Sequence, residues 1–247
     1  MIKIMTYFLA AFSSLFFLAQ VAVAQHTSDP QQMLTEKQRA IILISSFTAK
    51  GDLPKLKQAL NTGLDAGLTV NESKEVLVHL YAYCGFPRSI QGLNTLMALL
   101  NERKAKGIND NMGREATPIP DNTSKYELGW KNLAKLGGRP TDGPIEKPTS
   151  GYGAFSPEMD TFLKEHLFAD IFSRDVLSFS DRELTTVSAL ISLGGVEPML
   201  SSHLSLAMIQ GISKVQLEEV LALVEKLVSK TDADAARKVL LAVTSRK

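Results

Sequence analysis

Residues 194–219 read GGVEPMLSSHLSLAMIQGISKVQLEE. The stretch describes one helix carrying His203, a stop at Gly211 and a new helix start at Ser213. At an offset of 144 residues the same frame occurs earlier in the chain. Gly51 falls on Gly195, Pro54 on Pro198, Leu56 on Leu200, Leu60 on Leu204, Gly67 on Gly211 and Glu75 on Glu219. Ungapped self-similarity of this kind is the signature of an internal repeat. It predicts an all-α fold made of two related helical halves.

Working outward, the helix signals recur. Thr35-Glu36-Lys37-Gln38 and Thr69-Val70-Asn71-Glu72 have the form of capping boxes, in which the first and fourth residues each satisfy a free backbone N–H. Ser180-Asp181-Arg182-Glu183 has the same form. Leu56, Ala59, Leu60 and Leu64 follow helical spacing, as do Val76, Leu77, Leu80 and Tyr81. Tyr83-Cys84-Gly85-Phe86-Pro87 should break the helix there. No stretch alternates at the strand period.

Residues 1–24 stand apart, with Lys3, an apolar run and Ala22-Val23-Ala24 before Gln25. They fit a cleaved export signal, which makes the mature protein periplasmic or secreted; a retained anchor is the other reading. Residues 25–33 read as a polar leader, 34–106 as the first repeat, 107–154 as a connector and 155–247 as the second repeat. Five of the ten prolines fall between Pro118 and Pro148, and only Lys125 to Leu136 looks helical within the connector. Net charge is +1 and comes from Lys3, so the mature chain is formally neutral. A neutral chain offers no electrostatic basis for nucleic-acid binding. The single cysteine, Cys84, excludes an intramolecular disulfide.

Two side chains stand on apolar stripes where polar groups need a reason. His203 shares a helix face with Met199, Leu200, Leu206 and Ala207. It is either a hydrogen-bonded core histidine or a general acid/base. Glu183 shares a face with Val187, Leu190 and Ile191, and is either the last residue of its capping box or a second proton-transfer group. Cys84 reads as a packed, inert thiol, since a helix C-terminus disfavours a thiolate. His79, with Glu75 and Glu72, reads as a solvated ion pair rather than a metal site. No phosphate-cradling loop is present.

At these residues the chain resembles the carboxymuconolactone decarboxylase family, whose all-helical fold is shared with alkylhydroperoxidase D-like proteins. The resemblance rests on Phe168-Ala169-Asp170-Ile171-Phe172-Ser173-Arg174, on Leu177 to Leu184, and on Ser202-His203-Leu204 with Ala207, Gly211, Ser213 and Glu219. In the first half it rests on Glu72, Glu75 and Tyr83 to Pro87. It implies a cofactor-free and metal-free decarboxylation of a small carboxylated lactone, with His203 and Glu183 as catalytic residues. It also implies a homo-oligomer, a trimer of tandem chains. The peroxidase members carry Cys-x-x-Cys before the histidine; the corresponding positions here are Val196 and Met199. Peroxiredoxin activity is then a property of the fold's relatives, and a non-catalytic binding or assembly role is a further alternative. The first half has Ala59 in the histidine's place, so at most one half is catalytic.

Overall fold

The computed structural model describes residues 33–245. The expected export signal and nearly all of the leader lie outside them. The described residues contain helices and no strand. Helix α1 is Glu36–Lys50, α2 is Leu53–Asp65 and α3 is Val70–Ala105. Helix α4 is Lys125–Leu136, α5 is Gly151–Phe155 and α6 is Pro157–Phe162, which runs on into a π-helical segment, Leu163–Ile171. The second half adds α7 (Phe179–Leu193), α8 (Glu197–Ile209), α9 (Lys214–Leu227) and α10 (Lys230–Thr244).

The boundaries follow local chemistry. Thr35, Thr69 and Ser213 each close a reciprocal capping box with the residue three positions on. Gly51 ends α1 at φ 72°, a left-handed conformation that a side chain would strain. Gly85 interrupts α3 with φ 76° and ψ 162°, two residues before Pro87. The expected break is therefore a local kink, and the chain resumes as a helix beyond it. One boundary differs from expectation. Helix α7 is capped by Ser178, whose hydroxyl accepts from the Asp181 N–H. Ser180 is therefore inside the helix, and Glu183 caps nothing.

At the offset of 144 residues, α2 falls on α8 with identical bounds, and the first residue of α3 falls on that of α9. Ser229, the cap of α10, falls on Gly85, the kink in α3. Helices α1 and α7 pack against one another at the centre. Small polar residues allow their close approach: Ser45, Ser46 and Thr48 on one side, Thr185, Thr186 and Ser188 on the other, all buried. Ser45, Thr48 and Thr185 donate back to carbonyls four residues earlier, so burial leaves those hydroxyls paired.

On either side of this pair lies a leucine-rich core. One is built on Leu56, Leu60, Val76, Leu77 and Leu80, the other on Leu184, Val187, Leu200, Leu204, Leu217 and Val220. Each fully buried leucine contributes about 1.5–3 kcal/mol by removal from water. A third, aromatic cluster joins Leu136 of α4 to Leu167, Phe168, Ile171 and Phe172. Here α4 approaches so closely that a Cβ on Gly129 would lie 1.8 Å from the Lys164 carbonyl oxygen. Among the described residues no helix is long and apolar enough to cross a membrane.

Candidate active site

Helices from both halves converge on one buried polar cluster. From α8, His203 directs Nδ1 to Glu183 Oε2 on α7, at 2.9 Å. Glu183 is fully buried, and the His203 side chain is 15% exposed. The carboxylate can only accept when ionised, so His203 carries its proton on Nδ1. The Nε2 lone pair is then free to receive a proton. The other Glu183 oxygen, Oε1, is buried without a hydrogen-bond partner, as is the hydroxyl of Tyr83. An unpaired buried polar atom costs about 1–3 kcal/mol, so these two, with Arg182 Nε unpaired close behind them, need an explanation.

Tyr83 comes from α3 and sets its ring edge-on to the His203 imidazole, with centroids 5.6 Å apart. Burial and the nearby Glu183 carboxylate push its hydroxyl pKa well above the ordinary tyrosine value. Tyr83 therefore stays a neutral phenol, with a proton it could donate, rather than a phenolate.

Behind this pair lies a second group. His79, one turn before Tyr83, meets Thr186 Oγ1 through Nε2 at 2.9 Å. Its Nδ1 accepts from Arg182 Nη1 at 3.2 Å. Because the guanidinium can only donate, the neutral His79 keeps its proton on Nε2 and gives it to Thr186. Arg182 also donates to Glu75 Oε1 at 2.7 Å and to the Arg174 carbonyl oxygen. Arg174 closes the network from outside, with Nε 2.9 Å from Glu75 Oε2. Glu75, His79 and Arg182 are all buried.

This network corrects the expectation of a solvated Glu75–His79 pair. The two do share a face of α3, but it is the face that also carries Val76, Leu80 and Tyr83, and α7 covers it. The i, i+3, i+4, i+7 set of Val76, His79, Leu80 and Tyr83 could have shown this, since both aliphatic members are core residues. Arg182 was legible only as part of a capping motif. Cys84 lies apart from the cluster, packed against the first core, with burial pushing its thiol up to about 11 against a smaller opposing effect of Arg88. Among the described residues, no group of three or more histidine, cysteine, aspartate or glutamate side chains is placed to hold a metal ion.

Burial, then the positive charge of Arg182, with a lesser contribution from the neighbouring His203, hold the His79 pKa well below 6.5. The unfolded chain takes up a proton near pH 6.5 that the folded chain refuses, so stability should fall as pH drops through that value. Urea unfolding between pH 8 and pH 5 measures the slope, and His79→Gln should flatten it.

Comparison with known proteins locates the same region. A search of curated proteins gives no match. One family model matches, over residues 157–242, which hold α7, α8 and with them Glu183 and His203. Over these residues the chain is similar to the carboxymuconolactone decarboxylase family.

Proposed function

We propose that the protein is an exported, cofactor-free carboxy-lyase acting on a small carboxylated lactone, with His203 as the acid/base and Glu183 as the group that orients it. The observation that carries this reading is the 2.9 Å contact from His203 Nδ1 to a fully buried carboxylate. A buried carboxylate fixes the tautomer and compensates the charge when Nε2 takes a proton. The unpaired Glu183 Oε1 and Tyr83 hydroxyl supply an acceptor and a donor at the same place.

In the proposed reaction the bond from carbon to the carboxylate breaks and CO₂ leaves. Its electron pair passes into the conjugated lactone carbonyl. His203 Nε2, having taken a proton from solvent, delivers it to carbon and returns to the neutral Nδ1–H form, so the balance is one carboxylate and one proton in, one C–H bond and CO₂ out.

Two related halves in one chain suit assembly as a trimer that reproduces a hexamer of single domains. The coincidence of helix bounds at 144 residues supports the tandem reading. Thiol peroxidase chemistry lacks support: Val196 and Met199 occupy the cysteine positions, and a thiol at about 11 is thiolate in roughly one molecule in 10⁴ at pH 7.

A second reading, a non-catalytic binding or assembly module, is favoured by one observation. Five cavities among the described residues, each large enough to outline, are lined by residues other than His203 and Glu183. The two readings separate in a panel of carboxylated lactones, with CO₂ release followed in the presence and absence of a chelator. The lyase reading expects release from at least one member at a rate the chelator leaves unchanged. Binding without release would favour the module.

A further inference from the structure

The site around His203 has a counterpart in the other half. At the offset of 144 residues Glu183 falls on Arg39, His203 on Ala59, Met199 on Lys55, His79 on Leu223 and Tyr83 on Leu227. These five counterparts, scattered over three helices, come together around one cavity of about 490 Å³ between α1, α2 and α9. Where the second half is filled by an imidazole, a phenol and a second imidazole, the first half has a methyl group and two isobutyl groups. The volume lies within the range of about 300–1,000 Å³ usual for small-molecule sites.

The chemistry of the walls has changed with the volume. Ala40, Leu43, Phe47, Ala59, Leu223 and Leu227 make the interior apolar. Of the charged groups lining it, Arg39 is already held by two carboxylates, Glu36 at 2.8 Å and Glu219 at 2.6 Å. Lys55 is held more loosely. Its Nζ forms a single ion pair with Asp52 at 3.6 Å, longer than a hydrogen bond, and stands 5.6 Å above the Phe47 ring. A half-exposed ammonium is thus placed at the mouth of an apolar space, beside the side chains of Gln58 and Thr62.

We infer that this cavity is a second, non-catalytic binding site for an amphipathic monocarboxylate. The apolar tail lies against Phe47, Leu223 and Leu227, and the carboxylate meets Lys55 at the mouth, with Gln58 and Thr62 within the same wall. A charge-assisted hydrogen bond from an ammonium to a carboxylate is stronger than one between neutral groups, which sets the preference for an acid over an alcohol. Ala59 stands where the second half has His203, so the imidazole base has no counterpart here. The inference does not depend on catalysis at His203.

Titration calorimetry of the full chain with octanoate and with 1-octanol tests it. Octanoate should bind once per chain, and about tenfold more tightly than the alcohol. Lys55→Gln should bring octanoate down to the level of the alcohol. Ala59→Phe fills the interior and should abolish binding. Leu227→Trp closes the rim from a half-exposed position and should do the same if Ala59→Phe disturbs the fold. His203→Ala should leave octanoate binding unchanged, which separates this site from the dyad. The inference is overturned if octanoate shows no saturable binding, if the alcohol binds as tightly, if binding survives Leu227→Trp, or if it is lost in His203→Ala.

Discussion

Arg182→Ala should lower the unfolding free energy by about 3–5 kcal/mol, the cost of leaving a buried ionic partner uncompensated. Arg182 is fully buried and donates to Glu75, to His79 and to the Arg174 carbonyl. Its removal strips Glu75 of its inner cation and leaves only Arg174, whose side chain is 42% exposed. It also deprives His79 Nδ1 of its donor, and it opens a cavity beside the Phe172 ring, which the guanidinium faces at 5.6 Å. Urea unfolding measures the loss. The double variant Glu75→Leu/Arg182→Met should lose less than the sum of its single variants, because it removes both charges together. A single-variant loss below about 1 kcal/mol would mean that the network is slack and that water reaches it.

The second large effect is on turnover. His203→Ala should lower kcat/KM on a responsive lactone by about 10²–10⁴-fold, the usual contribution of a positioned acid/base. The fold should survive at reduced stability: the change leaves the buried Glu183 carboxylate without its one partner, but His203 itself lies partly exposed at the edge of the cluster, where water can replace it. Glu183→Gln keeps the shape but not the charge. It should reduce kcat more than it raises KM, because the interaction it weakens develops as the imidazole becomes charged. A variant that changed KM alone would place Glu183 in substrate binding instead. Tyr83→Phe, which removes an unpaired hydroxyl from a buried site, offers a milder comparison.

Most of the architecture was legible because it is written in local signals. The capping boxes at Thr35 and Thr69, the glycine stop at Gly51 and the break at Gly85 all act over a few residues. The dyad was half legible. That Glu183 and His203 lie on apolar stripes can be read from spacing, but their separation of 2.9 Å depends on how α7 and α8 cross. The Ser178 cap shows the limit of a motif: Ser178 and Ser180 are each followed three residues on by an acid, and the hydroxyl that caps α7 is the earlier one. Glu75, His79 and Arg182 were not legible as a network. Each looks like a surface residue until α3 and α7 are brought together, and only then do the charges prove to be buried. The cavity at Ala59 was signalled by one missing histidine, but its lining from α9 was not.

The central claim is that Glu183 holds His203 with its proton on Nδ1 and its Nε2 lone pair free. Nitrogen-15 NMR of the histidine rings reports this directly, with His203→Ala identifying the resonance. The account predicts an Nδ1–H tautomer for His203 at pH 8, with Nε2 unprotonated, and a loss of that preference in Glu183→Gln. A wild-type His203 protonated on Nε2 would contradict it, because the nitrogen bearing the proton would then be the one that has to accept it.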